Sequence, residues 1–272
     1  MADSLKKVLF VNSEIFPYLP ESPMATIGRY LPQGIQERKR EIRCFMPRFG
    51  CINERTNQLH EVIRLSGMNI IIDDVDRPLV IKVASISAAR IQIYFIDNED
   101  YFKRKSTYTD AEGRFFRDND ERAIFFARGV LETVKKLRWA PDIIHCQGWI
   151  SHLVPAYLKE AYRDDPIFSN SKVVLSLYDD TPDSGFAPAF AQKAALGNLK
   201  ADDLPIKEKP DGTKLAQTAV KYSDGLILGA ADIDPRVLKC CKASKLPLLP
   251  YNAGSMADGS YIDEYNAFYD SL

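Results

Sequence analysis

A chain of 272 residues, 46% hydrophobic and 27% charged, is long enough for one large α/β domain or two small ones. Its 36 basic and 37 acidic residues are intermixed and leave a formal net charge of −1, which argues against the basic stripe of a nucleic-acid binder and the basic amphipathic helix of a membrane-surface protein. No apolar run reaches the roughly 20 residues that a bilayer crossing requires.

Along the chain, short β-branched runs alternate with longer helical patterns, the signature of a parallel sheet with helices on its faces. Lys7–Val11 reads as a buried opening strand, a helix is expected from about Met24 to Arg38, and Ile42–Met46 returns as a strand. From His60 to Asp97 the pattern changes. Val62–Leu65, Asn69–Ile72, Leu79–Val83 and Ile91–Ile96 are four short apolar runs between turn residues, read as β-hairpins inserted into the sheet or lying at its edge.

Arg117–Leu137 gives the clearest helix, with Ile124, Ala127, Leu131 and Val134 on one face. Ile143–Ile144, Val173–Leu177 and Leu226–Leu228 are short and apolar, as central strands covered on both faces should be. Between Pro182 and Thr213 a Pro-rich, charge-rich stretch suggests a helix plus a mobile loop, and Leu246–Leu249 suggests one more strand. Ser260–Leu272 is an amphipathic helix with Tyr261, Tyr265, Phe268 and Leu272 on one side, expected to dock on the chain's own core.

Met1-Ala2-Asp3-Ser4 has no charged n-region leading into an apolar h-region, so no secretory leader is read. Cys44, Cys51, Cys146, Cys240 and Cys241 fit neither a zinc nor a C-x-x-C pattern. Reduced thiols in a cytoplasmic protein are expected, with no metal and no cofactor. A Walker A loop, a Rossmann glycine fingerprint and a serine nucleophile elbow are all missing from the sequence.

Several segments carry a family resemblance. Ser13-Glu14-Ile15-Phe16-Pro17-Tyr18, after the first strand, and Met46-Pro47-Arg48-Phe49 resemble the opening of the starch and glycogen synthases, which extend α-1,4-glucans from a nucleotide-glucose. Tyr94-Phe95-Ile96-Asp97, Asp118-Asn119 with Arg122 and Phe125-Phe126, and Pro141-Asp142-Ile143-Ile144-His145 follow in the family's order. Trp149 and Leu153-Val154-Pro155-Ala156-Tyr157-Leu158-Lys159 complete the match.

The likeness covers most of residues 6 to 230, the N-terminal half of such an enzyme. It implies an α/β fold: a Rossmann-like parallel sheet flanked by helices, with a β-hairpin insertion at residues 60–97, equivalent to the N-terminal half of a two-domain GT-B fold. In that fold the N-terminal domain mostly holds the acceptor glucan, and the C-terminal domain holds most of the nucleotide-sugar. Only about forty residues follow position 230, fewer than the usual domain minimum of about 50–100. A single domain over residues 1–272 is therefore expected, closed by residues 260–272 as a C-terminal docking helix.

The resemblance also marks departures. The family has a Lys-x-Gly-Gly turn whose lysine and glycine backbone meet the donor phosphates; this chain reads Pro20-Glu21-Ser22-Pro23 there. Prolines offer no N–H to an anion and Glu21 repels one. The family has an Asp-Trp-His sequence beside the transferred sugar, and here Gly148 and Ile150 flank the retained Trp149. His152, two residues on, points about 200° away on a helix.

Five residues are carried forward as substrate-binding candidates, and no catalytic residue is named. Asp118 and Asn119 match positions near the family's glucose site, while Asp118-x-x-Glu121 also reads as a capping box. His145 sits at a strand tip, where α/β folds place ligands, or else is a hydrogen-bonded core histidine. Trp149 and Tyr178, with Tyr18, would offer stacking faces for sugar rings, although aromatics are more often core. Tyr178-Asp179-Asp180-Thr181-Pro182-Asp183 supplies acids for sugar hydroxyls or a cation, or is a solvated turn.

Two functions compete. One is a starch/glycogen synthase-like protein of glucan biosynthesis, whose family reaction is glucosyl transfer from ADP- or UDP-glucose to an α-1,4-glucan, inactive or impaired on its own. The other is a non-catalytic glucan-binding or regulatory subunit. The ligands expected are an α-glucan or a nucleotide-sugar, and a partner chain or a homo-oligomer is allowed for.

Overall fold

Strand β1 (Lys7–Asn12) runs through the middle of the molecule, and its last five residues are buried because both of its faces are covered. The computed structural model describes residues 6–272; the leader reading of Met1–Ser4 lies outside them. Parallel to β1 on one side run β2 (Glu41–Pro47) and then β6 (Ile91–Asp97). On the other side, also parallel, run β7 (Ile143–Gln147), β8 (Lys172–Leu177), β9 (Gly225–Leu228) and the short β10 (Leu248–Leu249).

The sequence that changes pattern after residue 60 forms the antiparallel edge. The 12-residue β5 (Val75–Ile86) pairs with β6, with β4 (Met68–Ile72) and with β3 (His60–Glu61). The strand order is β10-β9-β8-β7-β1-β2-β6-β5-β3, with β4 attached to β5. This is a mixed, mostly parallel sheet of the Rossmann-like kind.

Helices α1 (Pro23–Glu37), α2 (Glu99–Phe102), α3 (Asn119–Leu137), α4 (Val154–Ala156), α5 (Phe190–Ala194), α6 (Gly212–Lys221), α7 (Pro235–Ser244), α8 (Ala253–Asp258) and α9 (Tyr261–Asp270) flank it. In α3 the expected apolar stripe is fully buried at Ile124, Ala127, Leu131 and Val134. Helix α9 lies against α1. Tyr261, Tyr265 and Tyr269 face inward at one-turn spacing, while Arg40 holds Asn266 at 2.7 Å and Asp270 at 2.8 Å. Phe268 and Leu272 pack over Gly225 and are only partly buried.

Three expectations need correction. Val62–Leu65 is no strand: the ladder to β5 stops at His60–Glu61, with one further bond from the Val62 amide to the Ile81 carbonyl at 2.8 Å, and the chain then turns as the Leu65 amide bonds back to the Val62 carbonyl at 2.9 Å. Ile63, at 76% exposure, shows that the run was too solvent-facing to join a covered sheet. Only two residues of Leu246–Leu249 form a strand. The capping box at Asp118 does not form, because Arg104 takes both oxygens of that carboxylate at 2.7 and 2.6 Å, leaving no side-chain cap on α3.

Candidate functional site

The sheet winds outward in opposite directions from β1 and β7, and the crevice beyond their C-terminal ends is where open α/β sheets bind ligands. Ser13 and Glu14 leave β1 at this point, and Gly148 and Trp149 leave β7. The Ser13 amide donates to the Gln147 carbonyl at 2.8 Å and locks the two exits together. Gly148 has φ +84°, and a Cβ there would lie 2.1 Å from Ser13 Oγ. Only glycine fits. The carboxylate that the resemblance would put at this position has no room.

The turn Pro20–Pro23 leads into α1 directly opposite Glu14. Ser22 is the N-cap: its hydroxyl accepts from the Ala25 amide at 2.9 Å and donates to Glu14 Oε2 at 2.7 Å. Pro23, just inside the helix, has no N–H that needs a partner and its fixed φ suits that place. Helix α1 presses on the crevice at Gly28, where a Cβ would meet the Glu14 carbonyl at 2.4 Å. An amide that a helix N-terminus could turn toward an anion is thus bonded internally, beside two carboxylates, Glu14 and Glu21.

Across the crevice, Asp180 accepts from the Trp149 amide at 2.7 Å. Burial pushes its carboxyl up to about 7, the Trp149 amide opposes that, and the Glu14 carboxylate adds to it. The Tyr108 hydroxyl stands near the same two acids, and burial and their charge push its pKa up. Asn12 Nδ2, Ser13 Oγ and Tyr108 Oη are buried here with no hydrogen-bond partner among the described residues. Such groups are costly to leave bare, and here they lie buried beneath the crevice wall that carries the acids.

The five candidates divide between two places. Trp149 is 4% exposed, its indole held by Tyr108 at 4.7 Å and by Phe115 and Phe186, both at 5.7 Å. Asn119 joins it through Tyr108, whose carbonyl accepts from Asn119 Nδ2 at 2.9 Å, and Asn119 Oδ1 also accepts from Arg122. Asp118 lies next to them in its bidentate pair with Arg104.

His145 and Tyr178 are elsewhere, under α9. His145 is fully buried, with Nε2 2.6 Å from Ser176 Oγ and Nδ1 2.7 Å from the Tyr269 hydroxyl, and burial pushes its pKa down to about 3. Tyr178 lies flat over Gly229. Both side chains are buried under α9, and for His145 the hydrogen-bonded core histidine is the arrangement found. His152 is also buried, with both ring nitrogens unpaired and its pKa pushed down to about 3.

Glu14, Tyr108 and Arg104 were missed as site residues. Tyr108 and Arg104 lie in an irregular loop with no periodicity to mark them, and Glu14 could have been found as the acid directly after the β1 strand tip. Next to the Pro20–Pro23 turn opens a cleft of about 410 Å³ lined by Glu21, Ser22, Thr26, Tyr251, Met256 and Tyr261. It combines a carboxylate, hydroxyls and apolar faces. Among the described residues no group of acids, histidines or cysteines is arranged to hold a metal ion.

Comparison with known proteins places this geometry. A family model described as the starch synthase catalytic domain matches residues 7–228. The chain is 41% identical over 174 residues to a glycogen synthase of Chlorobium luteolum, covering 64% of this chain and 36% of that protein. It is 35% identical over 225 residues to a glycogen synthase of Chlorobaculum parvum, covering 82% of this chain and 46% of the relative. The catalytic domain of starch synthase IV from Arabidopsis thaliana, solved with ADP and acarbose, superposes with a TM-score of 0.72 at 14% identity, covering 91% of this chain and 51% of that one. The chain spans about half the length or less of the relatives it matches, and the structural likeness identifies the fold as that of a GT-B glycosyltransferase catalytic domain.

Proposed function

This chain belongs to the starch synthase catalytic-domain family, and on that premise we propose that it serves α-glucan biosynthesis by holding a glucan at the β1–β7 crevice while contributing little to nucleotide-glucose turnover by itself. The family reaction is glucosyl transfer from a nucleotide-glucose to an α-1,4-glucan. Such a transfer needs the leaving diphosphate neutralised and the developing positive charge on the sugar stabilised by placed groups. Removing one such group typically costs about 10²–10³ in rate.

One observation carries the reading: at the Pro20–Pro23 turn, where the family meets phosphate, Ser22 caps α1 and bonds to the Glu14 carboxylate. Glu14 and Glu21 make this side of the crevice acidic, and Asp180 faces them from the other side. A diphosphate would meet repulsion there, whereas sugar hydroxyls would find acceptors in the carboxylates. The arrangement supports glucan binding over donor binding. The non-catalytic glucan-binding or regulatory subunit is the limiting form of the same reading, favoured by the Gly148 packing that leaves no room for a side chain.

Equilibrium dialysis tests it with two probes, maltoheptaose and ADP. Saturable uptake of maltoheptaose with ADP bound at least tenfold more weakly is expected. ADP bound as tightly as the oligosaccharide, or no oligosaccharide uptake, would overturn the proposal.

A further inference from the structure

At the far end of the sheet from the crevice, where β2 and β6 begin, lies a second cavity of about 380 Å³. Arg40, Arg43 and Arg90 line it, with the amides of Gln36 and Gln92 alongside and Glu41 as its acid. The parallel pairing of β2 with β6 brings Arg43 and Arg90 to this end, the last turn of α1 delivers Gln36, and the turn that follows the helix delivers Arg40.

The charges do not cancel. Asp270 is shared between Arg40 at 2.8 Å and Lys6 at 2.9 Å, and Glu41 is occupied as acceptor of the Trp139 indole N–H at 2.6 Å. Arg90 has no ion-pair partner among the described residues, and neither does Arg43. Arg43 is instead held by neutral groups: its Nη1 donates to the Tyr94 hydroxyl at 2.7 Å, and its guanidinium stands 5.1 Å from the Trp139 ring and 5.8 Å from the Tyr94 ring. Its buried Nε has no hydrogen-bond partner. The Tyr94 hydroxyl and the two nearby rings hold the guanidinium in place, and a held, unpaired guanidinium is what oxyanion recognition uses.

Arg90 occupies a backbone position with φ 55°, in the left-handed region that a long L side chain rarely takes. Arg40, on the cavity wall, is tied to Asn266 and Asp270 of α9, so an occupant would sit between α1 and the sheet, one residue removed from α9.

We propose that this cavity is a second ligand site, separate from the crevice, that binds a phosphate monoester dianion between Arg43 and Arg90, with Gln36 and Gln92 left to meet hydroxyls on its organic part. Free phosphate and a sugar phosphate share that chemistry, and the cavity has room beyond a single phosphate for a sugar ring.

Isothermal titration of the full chain with inorganic phosphate, glucose 1-phosphate and glucose, followed in parallel by the emission of Trp139, decides it. The expected result is saturable binding of glucose 1-phosphate with a change in tryptophan emission and no binding of glucose. Equal affinity for inorganic phosphate would assign the site to the free anion; weaker binding would assign it to the ester. Arg90→Gln, an exposed position, should weaken binding about tenfold while leaving the thermal midpoint unchanged. Arg43→Lys, which keeps the charge and loses the fork, should weaken it too. Binding unaltered in both variants, or no saturable binding of either phosphate compound by the native chain, overturns the proposal. These outcomes are independent of glucan binding at the crevice.

Discussion

The hydroxyl of Tyr269 lies 2.7 Å from Nδ1 of His145, joining the last helix to a central strand across 124 positions of sequence. The other ring nitrogen meets Ser176 Oγ at 2.6 Å, so a neutral ring satisfies both contacts, one nitrogen donating and the other accepting. Burial disfavours the charged ring, so protonating this histidine weakens the joint.

Removing the hydroxyl tests that joint. Tyr269→Phe keeps the ring in place and leaves Nδ1 unpaired in a dry pocket, so the urea unfolding free energy should fall by about 1–3 kcal/mol. A surface pair between the end of α1 and the same helix, Arg38 with Asp263, should cost less than about 1 kcal/mol when Asp263 is replaced by alanine. Equal effects would mean that α9 is held by its surface rather than by His145.

Acid should loosen the fold. Burial holds His145 and His152 at about 3, whereas in the unfolded chain they take up protons near 6.5. Their contribution is fully present above about pH 6.5 and is lost as the pH falls toward about 3, because the unfolded state binds more protons in that window. Asp180 works the other way. With its carboxyl at about 7, the folded protein keeps a proton that the unfolded chain releases near 4. Two protons oppose one between about pH 4 and 6.5, so stability should fall on acidification at a net slope of at most about 1.4 kcal/mol per pH unit. Urea midpoints across this range check the sign.

Asp180→Asn isolates the opposing group. Asparagine can still accept from the Trp149 amide and carries no charge beside Glu14. Above pH 7 the variant should be more stable by about 1–2 kcal/mol, and its acid slope should steepen toward two protons. An unchanged slope would show that Asp180 titrates like an ordinary surface carboxylate.

Gly148 should resist replacement. Gly148→Asp restores the residue type that the family resemblance suggests, and it should destabilise the chain by at least about 2 kcal/mol, since the positive φ and the contact with Ser13 both oppose a side chain. Calorimetric melting of the variant would show it. A fully stable Gly148→Asp protein would mean that the crevice can open to accept a side chain.

Much of the fold could be read from local pattern. β1, β7, β8 and β9 are covered on both faces, so their apolar runs stood out, and the 3.6-residue stripe of α3 identified it. The site was less legible because its decisive contacts are long-range. Asp118 looked like a cap until Arg104, 14 positions earlier, claimed both oxygens. His145 looked like a strand-tip ligand, and nothing near it in sequence shows that Ser176 and Tyr269 enclose it. Tyr269 continues the four-residue spacing of Tyr261 and Tyr265, whereas Phe268 and Leu272, expected on the same face by helical spacing, are the less buried pair. The Pro20–Pro23 substitution was visible at once, but the Ser22–Glu14 bond that gives it chemical meaning needed the structure.

The most direct test of a crevice that holds glucan and handles donor poorly is native electrophoresis of the purified chain in gels with and without glycogen, run with radiolabelled ADP-glucose and UDP-glucose transfer on the same sample. Retardation by glycogen with no label incorporated above background is the predicted result. Label incorporation above that of a Trp149→Ala control would contradict the account and show that the acidic turn still serves a working transferase; migration unaffected by glycogen would remove the glucan from it altogether.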